Sequence, residues 1–300
     1  LAHHPDNPDA IEGKVRSLYH MKRWDEVLQI CVVCRGRYPK EPVYYLLEAR
    51  VRGWQTGEGD LARSIILEGL SMAPSDEHLI SLLSDLHVHQ GQVDSAIGLL
   101  SSEIGEHPHN YALLFRLASL LAQEGNYASA SAYYDQILTD HPNDIPALYL
   151  AGETCELMGD PDSALTRYNS VVAVNPADPR GWIGRSRVLY ESGNPHESRR
   201  SAIQAASLSD LEEAWQLRGK AEIAAGMLED ARKTFTYITL NWPDHSQGWR
   251  YLGDVMLLLN EDKAACLSYS RALEIDPEDR EAREAKIRIQ ERIQEIEVSL

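Results

Sequence analysis

Cysteine is scarce in this sequence, with four residues in 300. Four thiols are too few for a disulfide framework, so we expect packing alone to hold the core in a reducing compartment. The start of the chain also lacks the layout of a signal peptide, and no apolar run approaches the ~20 residues that cross a bilayer. These absences predict a cytoplasmic protein with no membrane partner.

Basic residues are scarce as well: 29 Lys and Arg stand against 46 Asp and Glu, which gives a formal net charge of −17. Such a chain is repelled by nucleic acid, so we expect no nucleic-acid partner. The sequence contains no glycine-rich phosphate loop, no HExxH pair and no GxSxG turn. We therefore predict no catalytic residue, no cofactor and no metal ion.

What the sequence does contain is a repeat, marked by proline. Proline separates a finished helix from the next one, because it disfavours helix in the residue before it and suits the first helical turn. Its positions recur every 33 to 35 residues, with Asp210 in the place of one proline: Pro5, Pro39, Pro74, Pro108, Pro142, Pro176, Asp210, Pro243 and Pro277. This interval predicts eight helix pairs.

Each repeat has the same internal pattern, which Ala147 to Pro176 shows most clearly. Apolar residues recur at spacings of three and four on both sides of a turn glycine, as two amphipathic helices require. Counted from the start of each first helix, small residues recur at position 8 and again at position 20, for example Gly152 and Ala164. Small side chains at both positions predict a close approach of the two helices.

This pattern resembles the tetratricopeptide repeat, over roughly residues 6 to 277. The match is closest in the last repeat, at Trp249, Leu252, Gly253, Ala265, Tyr269, Ala272 and Pro277. The resemblance implies an all-α, right-handed superhelix in which first helices line a concave groove. We assign residues 1–277 to this solenoid, with Leu1 to Pro5 as the tail of a truncated repeat. Residues 278–300 are predicted to form a charged C-terminal capping helix.

Three repeats depart from the pattern. Val15 and Val27 replace the usual small residues of the first repeat, which predicts a wider helix spacing there. The second repeat has one extra residue after Trp54, which predicts a longer turn. Asp210 lacks the proline and is followed by Glu213, a spacing that predicts a capping box for the next helix.

Two groups of metal-ligand residue types have a simpler interpretation. Cys31 and Cys34 have the spacing of a redox or zinc pair, but they occupy positions that point into the core in other repeats. We therefore interpret them as core residues. The histidines at 87, 89, 107 and 109 lie on helix faces and in turns, and we interpret them as solvated.

The groove is the predicted place of function. Its expected positions hold six bases and six acids, so the groove is predicted to be near neutral on an otherwise acidic surface. Our candidates for binding a carboxylate-bearing peptide are Arg180, Arg187, Tyr190, Lys220, Arg250 and Tyr251. In the alternative interpretation, these bases only neutralise neighbouring acids such as Glu153, Glu213 and Asp254.

We therefore predict a non-enzymatic scaffold that binds an extended or helical peptide of a protein partner, which carries an acidic segment. The scaffold itself is expected to be a monomer or to self-associate weakly. Two alternatives stay open at this point. The chain could be a regulatory or targeting segment of a larger enzyme, or a structural assembly module.

Overall fold

The computed structural model describes residues 8–299, with side chains for residues 10–294. All regular secondary structure in this part of the chain is α-helical, which confirms the predicted fold class. Eight helix pairs and one further helix follow one another, as the proline interval predicted. They are α1 (Pro8–His20), α2 (Trp24–Arg37), α3 (Pro42–Trp54), α4 (Gly59–Met72), α5 (Glu77–His89), α6 (Val93–Glu106), α7 (Tyr111–Gln123), α8 (Tyr127–Asp140), α9 (Ile145–Leu157), α10 (Pro161–Val174), α11 (Pro179–Glu191), α12 (Pro195–Leu208), α13 (Glu212–Ala224), α14 (Leu228–Asn241), α15 (Ser246–Leu258), α16 (Asp262–Ile275) and α17 (Arg280–Ser299).

The chain divides into two compact units, Leu1–Asp140 and His141–Leu300. The N-terminal unit contains α1 to α8, and the C-terminal unit contains α9 to α17. Within each unit every helix packs on the next, and first helices also pack on the first helices of adjacent repeats, as α3 does on α5 and α11 on α13. The predicted Leu1 to Pro5 tail lies outside the described residues.

The turn between the two helices of a repeat requires one residue with a positive φ. Glycine occupies this position in six repeats, with φ between 72° and 78°. In the first and last repeats the position is held by Lys22, with φ 58°, and by Asn260, with φ 62°. The turn after Trp54 is one residue longer than the others, so the prediction of an extra turn residue is confirmed.

A glycine at position 8 makes room for an aromatic ring rather than for the backbone of the partner helix. A Cβ atom added to Gly152 would lie 2.8 Å from Cε1 of Tyr168, and one added to Gly219 would lie 2.5 Å from Cζ of Phe235. Both distances are shorter than real Cβ contacts, and both rings are completely buried. The sequence therefore identified the tight position correctly, but the group that fills it is a side chain at position 24.

The predicted capping box at Asp210 is wrong. Helix α13 follows Leu211, and no side chain caps its first turn. The Asp210 carboxylate instead accepts a hydrogen bond from the hydroxyl of Tyr237 on α14, at 3.2 Å, and Glu213 binds Arg187. Hydrogen-bonding side chains from neighbouring repeats thus compete with the local cap for the two carboxylates. The sequence pattern does not show which side chains these are.

Helix α17 covers the last repeat. Asp279 accepts a hydrogen bond from the backbone N–H of Ala282 at 2.9 Å and so caps the helix. Ala282 and Ile289 are buried in one cluster with Tyr269 and other residues of α16. The side chains of residues 295–300 lie outside the described residues. The division of the chain at residue 278 stays a prediction.

Candidate peptide-binding surface

The six candidate residues lie on three first helices of the C-terminal unit. Helix α11 carries Arg180, Arg187 and Tyr190, α13 carries Lys220, and α15 carries Arg250 and Tyr251. An Asp-Pro pair starts α11, and the two later helices follow at about the same repeat interval. The three helices place these side chains, but the neighbours of each differ.

Arg180 is tied to the start of its own helix. Asp178, the N-cap residue of α11, accepts hydrogen bonds from the backbone N–H of Arg180 at 3.0 Å and from its Nη2 at 2.7 Å. The hydrogen bond from the Arg180 side chain lowers the pKa of the Asp178 carboxyl group. The guanidinium also lies over the ring of Tyr149, with Cζ 5.5 Å from the centroid. About half of the Arg180 side chain stays exposed, so its charge reaches solvent.

Arg187 bridges two glutamates from neighbouring first helices. Its Nε donates to Oε2 of Glu156 at 2.9 Å, and its Nη1 donates to Oε1 of Glu213, also at 2.9 Å. Glu156 accepts a further hydrogen bond from the hydroxyl of Tyr168. Burial, and then this hydrogen bond, raise the pKa of Tyr168, so the phenol remains a donor. Arg187 therefore belongs to an internal network.

Lys220, Arg250 and Tyr251 come together in one cluster, which we call the cation–tyrosine cluster. The Nζ atom of Lys220 lies 5.1 Å from the centroid of the Tyr251 ring, and Cζ of Arg250 lies 4.8 Å from it. The ring stacks on Phe235 at 5.2 Å between centroids, with 25° between the planes. Cations at this distance from a ring are attracted to it, and the stacked phenylalanine fixes the ring's orientation.

The two cations of the cluster differ in their acidic neighbours. Arg250 pairs with Asp279 at 3.3 Å and with Glu281. For Lys220, no ion pair to a carboxylate is found among residues 10–294, although its charge acts on His245 and helps to lower the pKa of that imidazole, after burial. Among the four candidate bases, Lys220 is therefore the one without an ion pair in this part of the chain, since Arg180, Arg187 and Arg250 each have one.

Tyr190 lies apart from the cluster. It is half-buried near the end of α11, and within the described part of the chain its ring contacts no other aromatic ring or cation. The structure thus brings three of the six candidates together and leaves the other three in separate surroundings.

Several acids that hold the candidate bases were not among those expected from the sequence. Glu213 does pair with Arg187, as the neutralisation alternative expects. Glu153 and Asp254, however, accept hydrogen bonds from tyrosine hydroxyls, at 2.6 Å each. The other partners of the arginines are Asp178, Glu156, Asp279 and Glu281. Of these four acids, only Asp178 could have been expected from the sequence, because it is an N-cap residue directly before a proline.

The two cysteines with metal-site spacing are core residues. Cys31 is completely buried and Cys34 nearly so, in a cluster with Val15 and Val27. Burial raises the pKa of the Cys31 thiol to about 12, which leaves it unreactive at neutral pH. Across residues 10–294 no group of three or more metal-ligand side chains converges.

One histidine differs from its interpretation as solvated. His87 is buried, and its Nδ1 lies 2.9 Å from Oε1 of Gln92 in the following turn. His109 is exposed and pairs with Asp140 at 2.7 Å. None of the helices described, from residue 8 to residue 299, combines the length and the hydrophobicity that crossing a membrane demands.

Solved structures of other repeat proteins share this fold. A tetratricopeptide repeat protein from Parabacteroides merdae is 18% identical, with 82% of this chain and 97% of that chain covered and a TM-score of 0.56. YrrB, described as a tetratricopeptide repeat protein with an unusual peptide-binding site, is 21% identical over 62% of this chain and 97% of its own, with a TM-score of 0.54. A chain of the APC/C hetero-tetramer Cut9–Hcn1 is 16% identical over 96% of this chain and 57% of that chain, with a TM-score of 0.56.

No curated protein sequence matches the chain. Two family models do, and both describe the tetratricopeptide repeat. One matches residues 87–153, and the other matches residues 158–211 and 217–280, so that together they cover more than half of the chain. Repeats of this kind are in general protein-interaction modules, and proteins built from them are typically non-catalytic scaffolds. With these matches and the eight helix pairs described above, the chain belongs to the tetratricopeptide repeat family.

Proposed function

We propose that the chain is a non-catalytic scaffold that binds a peptide segment of a partner protein on the first-helix face of its C-terminal unit. The observation that carries this proposal is the cation–tyrosine cluster of Lys220, Arg250 and Tyr251. A tyrosine ring held by a stacked phenylalanine offers a rigid apolar surface, and such rings are frequent anchors of protein interfaces. The protein itself acts as a monomer or self-associates weakly.

The charge of the cluster favours a partner with an acidic segment. Lys220 forms no ion pair among the described residues, whereas Arg180, Arg187 and Arg250 are held by their own carboxylates. A peptide carboxylate that approaches Lys220 gains a charge-assisted hydrogen bond without having to displace an internal ion pair. Arg180, which is half exposed, and Tyr190 extend the same face along α11 and supply secondary contacts.

The test uses one charge reversal that spares the internal network. Lys220→Glu places a negative charge beside Tyr251 without breaking any ion pair described here, so the fold should be retained. Lys263→Glu on α16 is the matched control, because Lys263 is exposed on a second helix. Each variant and the wild type are immobilised and exposed to an extract of the source cells, and retained proteins are identified by mass spectrometry.

We expect wild type and Lys263→Glu to retain the same partner, and Lys220→Glu to lose it. The retained protein should contain an acidic segment, and a synthetic peptide of that segment should compete for binding. The proposal fails if Lys220→Glu, shown to be folded by circular dichroism, retains the partner as strongly as the control. Retention of further copies of this chain alone would favour an assembly module.

A further inference from the structure

A second candidate site lies in the N-terminal unit, on the first helices there. An open cavity of about 560 Å³ is bordered by residues of α1, α3, α5 and α7. Its volume is within the range of ~300–1,000 Å³ that ligand sites in proteins usually have. The cation–tyrosine cluster belongs to the other unit, so this cavity needs its own explanation.

The walls of the cavity are largely aromatic and aliphatic. Tyr19, Trp54 and Leu82 line it, together with the ring of His89, which meets the Trp54 ring edge-on at 5.8 Å between centroids. Trp54 is the last residue of α3, directly before the turn that carries the extra residue. Rings fixed in this way present apolar surface at little entropic cost, so the cavity suits a bulky apolar side chain.

The charges of the residues that line the cavity do not sum to zero. Asp85 forms an ion pair with Arg116, and these two charges offset one another. Burial raises the pKa of the Asp85 carboxyl group, and the positive charges of Arg116 and then of Arg50, which lies nearby, oppose this rise. Arg50 itself, half-buried at the wall, takes part in no ion pair within the described part of the chain. The cavity therefore has a net charge of about +1 in a chain whose formal net charge is −17.

This arrangement selects the kind of anion that fits. A phosphate group carries a charge of about −1.5 to −2 and is usually held by several cations, whereas only one guanidinium is available here. A carboxylate carries a single negative charge, and a guanidinium can bind it through two parallel hydrogen bonds. The apolar walls require that a bulky side chain accompany the carboxylate.

We propose that this cavity binds a peptide in which a carboxylate is adjacent to an aromatic or branched apolar side chain. The carboxylate pairs with Arg50, and the apolar side chain packs between Tyr19 and Trp54. The carboxylate can belong to an acidic side chain or to a peptide C-terminus, since both present the same group. The site does not include Lys220. The N-terminal unit therefore binds its partner segment whether or not the cation–tyrosine cluster is occupied.

The test follows the indole N–H signal of Trp54, which is assigned with the Trp54→Phe variant in a protein labelled with ¹⁵N at its tryptophans. Four peptides are titrated. The first is acetyl-Gly-Ser-Phe-Glu-Ser-Gly-amide, and the second is the same peptide with Gln in place of Glu. The third is acetyl-Gly-Ser-Gly-Phe with a free carboxylate, and the fourth is its C-terminal amide. The variants are Arg50→Gln and, as a matched control, Arg63→Gln on the exposed face of α4.

We expect the Trp54 signal to shift with at least one carboxylate peptide and to shift much less with its uncharged counterpart. The affinity should fall about fivefold or more in Arg50→Gln and stay unchanged in Arg63→Gln, as the loss of a charge-assisted pair predicts. Comparing the first and third peptides distinguishes an acidic side chain from a C-terminus as the source of the carboxylate.

Three results would overturn the proposal: no shift of Trp54 with any peptide, equal shifts with charged and uncharged peptides, or equal losses in Arg50→Gln and Arg63→Gln. Melting curves of both variants show whether the fold is retained. Because the readout is local to Trp54, a failure here leaves the Lys220 experiment unaffected, and a failure of that experiment leaves this one intact.

Discussion

Most repeats of the two units fill their interior in opposite ways. In three of the four repeats of the C-terminal unit a glycine at position 8 faces an aromatic ring at position 24, whereas in three of the four repeats of the N-terminal unit a larger residue at position 8 accompanies an aliphatic side chain or a cysteine. The pairs are Gly152 with Tyr168, Gly219 with Phe235 and Gly253 with Tyr269 in the C-terminal unit, and Val15 with Cys31, Ala49 with Ile66 and Ser84 with Leu100 in the N-terminal unit. The exceptions are Ala118 with Tyr134 and Ser186 with Ala202. Within the six pairs the sizes of the two residues compensate for one another, because protein interiors are close-packed.

Val15 and Val27 are both completely buried in one cluster with Cys31, which occupies the place of the aromatic ring. A cysteine is much smaller than a tyrosine, so it leaves room for part of the extra volume of the valines. The wider helix spacing expected in the first repeat stays a prediction.

The largest expected effect comes from breaking a glycine–ring pair in the C-terminal unit. In Gly219→Val the new Cβ would lie 2.5 Å from Cζ of Phe235, and we expect this overpacking to lower the free energy of unfolding by about 3 kcal/mol. The double variant Gly219→Val/Phe235→Cys recreates the Val15–Cys31 pair and should recover about half of the loss. Urea unfolding followed by circular dichroism measures both.

The matched control is Gly98→Val, an exposed helical glycine with no atom within 4 Å of an added Cβ. Its effect should stay within about 0.5 kcal/mol. Two results would contradict the idea that the residues at positions 8 and 24 compensate for one another in size. They are a Gly219→Val variant as stable as this control, and a double variant less stable than Gly219→Val.

A smaller effect is expected from the reverse exchange in the N-terminal unit. Cys31→Phe places a ring against Val15 and should cost about 2 kcal/mol through overpacking. Val15→Gly/Cys31→Phe copies the C-terminal pair and should restore most of this loss, less the ~1 kcal/mol that glycine costs inside a helix. Cys266→Phe, at a half-exposed position, is the control. Equal melting temperatures of the Cys31 and Cys266 variants would contradict the prediction.

The smallest effect concerns the junctions between repeats. In three repeats the side chain at position 4 donates a hydrogen bond to the carbonyl of the proline that ends the repeat before it. Tyr45 does so in the N-terminal unit at 3.1 Å, and Trp182 and Trp249 do so in the C-terminal unit, both at 2.9 Å. Trp215 follows Asp210 instead of proline, and within residues 10–294 its buried Nε1 has no hydrogen-bond partner. It stacks on Tyr237 at 4.1 Å instead.

Replacing each indole by a phenyl ring compares these junctions. Trp249→Phe loses a hydrogen bond, whereas Trp215→Phe removes an N–H group that had no partner and retains the stacking. We expect Trp249→Phe to be less stable than Trp215→Phe by about 1 kcal/mol, measured as urea midpoints. Should Trp215→Phe prove the more destabilising of the two, the indole N–H would have to find its acceptor in solution.

Much of the fold follows from local patterns. The proline interval, the turn glycines and the spacing of apolar residues were sufficient to predict eight helix pairs and the longer turn after Trp54, since each depends on residues close in sequence. The candidate site was predicted less completely. Arg187 lies at an expected position, but its pairing with Glu156 joins residues 31 apart, and such pairs depend on how first helices face one another. Tyr149, which lies under Arg180, was not among the candidates, because this contact joins side chains of two neighbouring repeats.

The sequence by itself determined the class of protein, the number of helix pairs and the positions at which small residues are required. It did so because the same sequence pattern recurs in eight repeats. Residues that depart from this pattern, such as Val15 and Asp210, are therefore easy to recognise. Only the tertiary structure decided which ring fills the space beside each glycine, which acids hold the arginines, and that Lys220 and Arg50 form no ion pair with the described residues. Those outcomes depend on contacts between neighbouring repeats, where several side chains compete for one partner and geometry selects among them.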